Sequence, residues 1–425
     1  MADIRPFRGI RYNEGRYSDL SPVLAPPYDV ISRQEHARLI ESSPRNVVRL
    51  IIGERYKSRK KGAERYAGSA ALLDQWLGDE TLVQDRVAAV YLLDQEFEVA
   101  GRRHVPRPFI ARLRIEAFGK GCVFPHEQTM PGPKADRLAL MKATRMNMSQ
   151  VFGLYPDDGR AGRVIERMGE LEPVAEGAGI DGVRNLVRPV YHRGLIGDLV
   201  EALSEQRIVV ADGHHRYETA VAYRDEMRLR GGLLELDKAH DFVAVALVSM
   251  DDPGLVIRPT HRLIRNVKGF SPADFFRRAE PMYQVEEVPA DAPAILDRLS
   301  QVADRHAFGI VTNRGARVLV RTAGKRGATG RAQTLDTHIL HHELFGELIG
   351  LGPDAWKKEG PVDYVQSAED CVSAAASGKA RLAALVNPTR IDEVQAIALA
   401  GGTMPPKSTF FYPKFPTGIV INPLI

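Results

Sequence analysis

An acid, a glycine, two imidazoles and a guanidinium follow one another in the segment "ADGHHRY", as Asp212, Gly213, His214, His215 and Arg216. The apolar residues 208–211 before them predict a short buried strand, and residues 217–227 after them predict a helix. The start of a helix binds anions through its backbone N–H groups and its partial positive charge. Gly213 allows a sharp turn, and Arg216 adds a planar donor fork suited to phosphate. The segment therefore predicts an anion-binding corner.

Asp212 is the residue that a simple anion site does not explain, because a carboxylate repels a bare phosphate. It fits if it holds a Mg²⁺ ion that bridges phosphate oxygens, or if it caps the helix. The alternative for the whole corner is an ordinary turn in which Asp212 is only an N-cap and the histidines have local partners.

Two further carboxylates lie in loops where a scaffold commonly presents reactive groups. Glu127 belongs to "PHEQT" in a Gly/Pro-rich stretch, and Asp29 belongs to "PPYDV". A carboxylate near a phosphate site can take the proton from an attacking hydroxyl, as a general base does. The alternatives are an exposed loop glutamate for Glu127 and a structural turn for Asp29.

The segment "MPPKST" ends like a Walker phosphate loop but is not one. Pro405 and Pro406 have no N–H to offer, whereas a Walker loop works through the backbone N–H groups of glycines. Lys407 and Ser408 can still bind phosphate through their side chains, with a surface turn as the alternative. We expect Glu127 and Lys407 to lie near the "DGHHR" corner around one cleft.

The elements that must position these residues predict an α/β protein. Strands and helices alternate over 186–265, with α/β segments before and after, at 1–155 and 266–425. Ser32 and Glu35 predict a capping box at a helix start, and Asp136 predicts an N-cap. The polar, glycine-rich stretch 156–184 predicts a surface excursion.

Composition narrows the class of protein. The 58 basic and 54 acidic residues leave a net charge of +4, and the one basic run, residues 55–66, is typical of a solvated helix face, so nucleic acid is not favoured. No apolar stretch has membrane-spanning length, and residues 1–15 lack a signal-peptide pattern. Cys122 and Cys371 lie far apart in the sequence, with no close-spaced cysteine pair. These observations together predict a cytoplasmic protein.

The motifs resemble two known groups. "VVADGHHRYETA" is similar to the phosphate-binding box of the ParB/sulfiredoxin superfamily, particularly the branch of free-serine kinases, whose box reads Asp-Gly-His-(His/Thr)-Arg. The whole chain resembles the uncharacterised DUF1015 family through seven stretches: "APPYDVIS", "PRNVVRLI", "PHEQT", "NMSQVFGLY", "ADGHHRYETA", "MPPKSTFFYPK" and "PTGIVIN". In the kinase branch an N-terminal catalytic carboxylate precedes the box at short range. Here nearly the whole first half of the chain precedes it, so Glu127 and Asp29 both stay candidates.

The resemblance implies a ParB/sulfiredoxin-like mixed-sheet core with large N- and C-terminal α/β additions. It also implies a nucleotide-dependent kinase that uses ATP or ADP with Mg²⁺ and acts on free L-serine or a similar hydroxyl compound. Gly213, His214, His215 and Arg216 would bind phosphate, with His215 also catalytic. A phosphoserine phosphatase or nucleotide hydrolase would use the same site, and a ParB-like nucleotide-switch or DNA-binding protein is the alternative of a different class.

Overall fold

The structure, a computed structural model, describes residues 1–52, 63–127, 134–231, 237–355 and 360–425. Its strands are β1 Ile4–Arg5, β2 Ile10–Tyr12, β3 Leu82–Gln84, β4 Val90–Val99, β5 Arg102–His104, β6 Phe109–Arg114, β7 Val123–Pro125, β8 Met146–Asn147, β9 Val151–Tyr155, β10 Ala175–Ala178, β11 Arg184–Val190, β12 Ile208–Asp212, β13 Phe242–Ser249, β14 Val256–Arg258, β15 His261–Ile264, β16 Tyr283–Val288, β17 Ala307–Thr312, β18 Gly315–Arg321, β19 Val362–Val365, β20 Leu382–Val386, β21 Phe410–Tyr412 and β22 Asn422–Pro423.

The α-helices are α1 Arg33–Ser42, α2 Val48–Ile51, α3 Ala63–Gly78, α4 Lys134–Thr144, α5 Arg160–Gly169, α6 Arg193–Leu203, α7 His214–Gly231, α8 Pro272–Ala279, α9 Ala292–Gln301, α10 Asp336–Ile339, α11 Ala368–Ala376 and α12 Ile391–Leu399. A π-helix, Leu340–Ile349, continues α10. The predicted α/β class is confirmed. None of the helices in the described ranges is long and apolar enough to cross a membrane.

The chain forms two compact units. The first comprises Met1–Pro125, Pro131–Val256 and Pro413–Ile425, and the second comprises His126–Met130 and Ile257–Tyr412. The sequence-based division at 1–155, 186–265 and 266–425 follows the order of the motifs and stays a prediction.

The first unit is built on a mixed sheet with the order β10-β11-β4-β6-β13-β9-β12-β7. Apolar side chains at alternate positions of the central strands line one face of this sheet, where α5 and α6 bury their apolar sides. β12 is parallel to β7, with Val210 opposite Pro125, and antiparallel to β9. The chain therefore leaves β7 and β12 at the same edge of the sheet.

The second unit is an antiparallel sheet with the order β16-β18-β17-β20-β15-β19. Alternate residues of β17 point to opposite faces: Phe308 and Ile310 join a core with α8 and the π-helix. Ala307 and Val311 join a core with α9 and α11. Helices thus cover both faces of this sheet.

Local signals in the sequence had mixed outcomes. The capping box at Ser32 and Glu35 is confirmed at the start of α1. Asp136 is not an N-cap, because α4 begins two residues earlier and its carboxylate contacts Arg65 and Tyr66 instead. The surface excursion predicted for 156–184 is wrong, because α5 buries apolar residues against the sheet and β10 pairs with β11.

Candidate functional site

The predicted corner forms one tight connection between strand and helix. β12 ends at Asp212 and α7 begins at His214, so Gly213 alone makes the turn, with a left-handed φ of 81°. The Gly213 carbonyl accepts the first helical hydrogen bond, from the Tyr217 N–H at 2.9 Å, which makes Gly213 the N-cap. The N-cap alternative for Asp212 is therefore wrong. A glycine N-cap brings no side chain to the N–H groups of the first turn, which leaves that helix start to other acceptors.

Asp212 is held between two cations. Its Oδ1 accepts a hydrogen bond from Lys414 Nζ at 2.8 Å, and its Oδ2 accepts one from Arg216 Nη2 at 2.6 Å. Burial alone would raise the pKa of Asp212, but Lys414 and Arg216 outweigh burial and hold this pKa well below its usual range. The carboxylate is ionised at neutral pH, and the three side chains together carry one net positive charge at the helix start.

Arg216 points inward rather than out of the helix start. Its side chain is only 11% exposed, and Nη1 donates to the backbone carbonyl of Gln150 while Nη2 binds Asp212. A Cβ atom on Gly213 would lie 2.7 Å from Arg216 Nε. The glycine thus makes room for the guanidinium, and these contacts give Arg216 a positioning role beside the predicted phosphate contact.

His215 lies beside charged groups in the first turn of α7. Its Nδ1 lies 3.7 Å from a carboxylate oxygen of Glu218, which also binds Lys134 at 2.8 Å. Burial lowers the pKa of His215, against the raising effect of Glu218 and of Asp29, and the net direction is downward. The imidazole is therefore neutral at neutral pH.

Tyr28 connects the "PPYDV" loop to Arg216. The Arg137 guanidinium lies 4.1 Å from the centroid of the Tyr28 ring. Tyr28, Arg137 and Arg216 all line one cavity of about 40 Å³, enough for a few water molecules. The structure therefore brings Tyr28, the residue before Asp29, to the same cavity as Arg216 inside the first unit.

Glu127 and its neighbour belong to the second unit. His126 is buried, with Nε2 at 2.8 Å from Thr409 Oγ1. The Glu127 side chain is 19% exposed and near enough to the buried Arg262 to affect its pKa. Burial lowers the pKa of Arg262 to about 10, partly offset by Tyr364 and Glu127. Gln128 and Thr129, which complete "PHEQT", lie outside the described residues.

Lys407 and Ser408 also belong to the second unit. Lys407 is exposed, has a left-handed φ of 60°, and its carbonyl accepts a hydrogen bond from Arg262 Nη2 at 3.0 Å. The Ser408 hydroxyl is buried, donates to the Pro405 carbonyl at 2.7 Å and lies 2.9 Å from Thr337 Oγ1. These hydrogen bonds engage the Ser408 hydroxyl within the second unit, and its predicted role in phosphate binding stays a prediction. The expectation that Glu127 and Lys407 act with the corner stays a prediction.

Comparison with known families adds one firm result. A family model described as "Protein of unknown function (DUF1015)" matches residues 4–338, more than three quarters of the chain. The chain belongs to the DUF1015 family. The family resemblance seen in the sequence is thus confirmed, whereas the ParB/sulfiredoxin-like box stays a resemblance. No curated protein sequence matches this DUF1015 chain.

Solved structures show only distant similarity. A mutant free serine kinase in complex with AMP matches at 12% identity and a TM-score of 0.37, over 71% of this chain and 89% of that chain. A second mutant of that kinase, in complex with ADP, matches at 11% identity, with the same TM-score and coverages. C-terminally truncated SbnI from Staphylococcus aureus matches at 11% identity and 0.35, over 72% and 85%. All these TM-scores lie below 0.5, so the similarities assign neither a ligand nor an activity to this chain.

The corner does not offer a ready site for a magnesium ion. Both Asp212 oxygens already face cations, and no group of three or more His, Cys, Asp or Glu side chains placed to hold a metal occurs in the described ranges. Mg²⁺ prefers carboxylate oxygens that are free to enter an octahedral shell. The prediction of Mg²⁺ at Asp212 gains no support from this arrangement.

Lys414 is the residue of the corner that the sequence reasoning missed. It lies in the C-terminal segment of the first unit, which is anchored by β22 on β8 and by the Gln150 side chain on the Val420 carbonyl at 2.6 Å. Lysine is common on surfaces, and nothing local marks this one. The only signal in the sequence is its place at the end of "MPPKSTFFYPK", seven residues after Lys407.

Proposed function

We propose that the protein is a nucleotide-dependent phosphotransferase that acts on a hydroxyl of a small molecule, with free L-serine or a similar hydroxyl compound as acceptor. The observation that carries this proposal is the glycine-capped start of α7, flanked by Lys414 and by Arg216. The similarity of the "DGHHR" box to that of free-serine kinases supports the choice of acceptor.

The phosphate-binding step rests on the backbone and on charge. The 18-residue helix α7 presents first-turn N–H groups and the positive end of its dipole, with no capping side chain at Gly213. Lys414 and Arg216 outnumber Asp212 in charge, so a phosphate meets a net positive surface. Because Asp212 holds both cations in fixed positions, they need little reorganisation as charge develops on the transferred group.

His215 is suited to a hydrogen-bonding role at this helix start. Burial keeps its imidazole neutral, and a neutral ring offers one donor and one acceptor. We assign it the orientation of the acceptor hydroxyl or of a phosphoryl oxygen. His214, Gly213 and Arg216 complete the predicted phosphate-binding group.

The general base is assigned to a carboxylate. Asp29 is exposed and directly follows Tyr28, which lines one cavity with Arg216 in the first unit, and this supports Asp29 as the base over the structural-turn interpretation. Glu127 stays the second candidate, with Lys407 as an added cation. The base takes the hydroxyl proton, the hydroxyl oxygen bonds to phosphorus, and the bond between phosphorus and the nucleotide oxygen breaks.

The deciding experiment mixes the protein with L-serine and either ATP or ADP, with and without MgCl₂, and follows O-phosphoserine by ³¹P NMR. We expect phosphoserine to appear only when the nucleotide and serine are both present. The base is tested with Asp29→Asn and with Glu127→Gln. The variant that removes the base should still bind nucleotide, but its turnover should fall about 100-fold or more. Glu35→Gln, a change in the α1 capping box, is the matched control and should keep full turnover.

Other products would separate the alternatives. Phosphate released from phosphoserine without nucleotide would indicate a phosphatase, and nucleotide hydrolysis unaffected by serine would indicate a nucleotide hydrolase. Tight DNA binding at physiological salt would support the nucleotide-switch alternative. Residues 55–62 of the basic run lie outside the described residues, and Arg65 within it pairs with Asp136 at 2.8 Å. Absence of any nucleotide binding would overturn the proposal.

A further inference from the structure

A second pocket lies at the carboxyl ends of β9 and β13 in the first unit. The two strands are parallel neighbours, with the last residue of β9, Tyr155, paired to the last residue of β13, Ser249. The pocket has a volume of about 350 Å³, within the size range of small-molecule sites. Ligands of open α/β sheets commonly bind beyond the carboxyl ends of parallel strands. β12 runs antiparallel to β9, so the "DGHHR" corner lies at the opposite edge of this sheet.

The lining of this pocket is strongly acidic. Four carboxylates, Asp157, Glu166, Asp251 and Asp252, face one guanidinium, that of Arg107. Arg107 already lies 3.2 Å from the carboxylate of Asp94. The pocket therefore carries a net negative charge and suits a cationic ligand.

Two of the carboxylates are fixed in place by the backbone. Asp157 accepts hydrogen bonds from the N–H groups at the start of α5, the shortest from Gly162 at 2.8 Å. Asp252 accepts from the Gly254 N–H at 2.7 Å and from the Arg107 N–H at 3.0 Å. Asp157 Oδ1 accepts from two of these N–H groups, whereas Asp157 Oδ2 and both Asp252 oxygens accept from one each. Both carboxylates can therefore accept a further donor without giving up these bonds.

Tyr155 supplies an independent observation that points to a ligand. Its side chain is wholly buried, it lines the pocket, and its hydroxyl has no hydrogen-bond partner within the described ranges. Tyr155, Asp157 and Asp252 line the same pocket, and burial together with the two negative charges raises the pKa of Tyr155. A buried hydroxyl without a partner is costly, and a ligand group in the pocket would satisfy it.

We propose that this pocket binds a small organic cation through a primary ammonium group. An ammonium group has three donors, which match Asp157, Asp252 and the acceptor lone pair of the Tyr155 hydroxyl. A metal ion fits less well, because no set of three or more metal-binding side chains is placed for one in the described part of the chain. This site is separate from the corner and does not depend on the proposed function.

The test measures binding of 1,4-diaminobutane to the full-length protein by isothermal titration calorimetry. The uncharged 1,4-butanediol, which has the same chain length, is the matched ligand control. Tyr155→Phe removes only the unsatisfied hydroxyl, so its melting temperature without ligand should equal or exceed that of the wild type. Its affinity for the diamine should fall about tenfold or more.

Charge is tested on exposed carboxylates, where folding is not at risk. Glu166→Gln with Asp251→Asn should weaken diamine binding about tenfold, whereas Glu170→Gln with Glu172→Gln, outside the pocket, should not. Three results would each overturn the proposal: no diamine binding at millimolar concentration, butanediol binding as tightly as the diamine, or binding of Mg²⁺ or Ca²⁺ in place of the amine. Unchanged affinity in both pocket variants would do the same.

Discussion

Replacing Lys414 with methionine tests the charge arrangement at the corner most directly. The substitution keeps an unbranched apolar side chain out to the ε position and removes the ammonium group that lies 2.8 Å from Asp212 Oδ1. Asp212 then keeps Arg216 as its one cation from this set. The prediction is a loss of stability in the first unit without a change of fold.

The magnitude follows from burial. The side chains of Lys414 and Asp212 are 17% and 24% exposed, between the fully exposed and the fully buried case. Exposed ion pairs contribute about 0.2–1 kcal/mol, and breaking a buried pair costs about 3–5 kcal/mol. Because Arg216 continues to bind Asp212, we expect a loss of about 1–2 kcal/mol in the free energy of unfolding. For a unit of this size that lowers the melting temperature by about 2–8 °C.

The assay is thermal and urea denaturation of the wild type, Lys414→Met, Asp212→Asn and the double variant. The pair should show a coupling energy of about 1 kcal/mol or more, and Lys414→Arg should keep most of the stability. A coupling energy within about 0.3 kcal/mol of zero would refute the ion pair as a stabilising contact.

The dependence on pH has a fixed sign. The pKa of Asp212 is held below its usual 3.8 in the folded protein, since Lys414 and Arg216 outweigh the raising effect of burial. The stabilisation is therefore fully present above the unfolded pKa and is lost as the pH falls below it towards the folded pKa. The difference between wild type and Lys414→Met should be constant from pH 7 to about 5 and should narrow below pH 4.

Two further predictions concern single positions. Gly213→Ala should lower the melting temperature by several degrees, because φ is 81° and the added Cβ would lie 2.7 Å from Arg216 Nε. The control is Gly197→Ala in α6, where an added Cβ meets nothing within 4 Å; it should be neutral or stabilising, and equal effects of the two substitutions would contradict the argument. Burial lowers the pKa of His261 to about 4, so the stability that its neutral form contributes is full above pH 6.5 and falls as the pH drops towards 4. His261→Asn can still accept the hydrogen bond from the Val386 N–H, and it should reduce the loss of unfolding free energy between pH 7 and pH 4.5 by up to about 3 kcal/mol. Urea denaturation at the two pH values measures this difference, and an unchanged pH profile would count against the prediction.

Much of the fold could be predicted from patterns of residues that are close together in the sequence. The capping box at Ser32 depends on residues three apart, and the "DGHHR" corner depends on an apolar run, a glycine and a helix pattern in immediate succession. Both signals act within one turn of the chain, so their prediction needed no tertiary information. Helix α5 was not predicted, because glycines and acidic residues dominate the composition of 156–184. Its Val164, Ile165 and Met168 nevertheless have helical spacing.

The residues of the candidate site could be predicted only where they are adjacent in the sequence, as in "DGHHR". Lys414 meets Asp212 across 202 residues of sequence, and a surface-type lysine gives no sign of such a partner. Tyr155 is one residue of the buried strand β9, and nothing in the neighbouring sequence marks its hydroxyl as unsatisfied or places it in a pocket with Asp252. Long-range pairs of this kind are set by sheet register, which a single sequence does not specify well.

Asp212 shows how a carboxylate can belong at the entrance of an anion-binding corner. Considered alone it opposes the binding of phosphate, which made it the least explained residue of the segment. Lysine and arginine side chains are flexible, and ordering them costs conformational entropy at the moment a ligand binds. With one carboxylate fixing both Lys414 and Arg216, that cost is met on folding, and the remaining charge is still positive. The acid thus serves the corner by holding its cations in place, which explains the acidic residue without a metal ion.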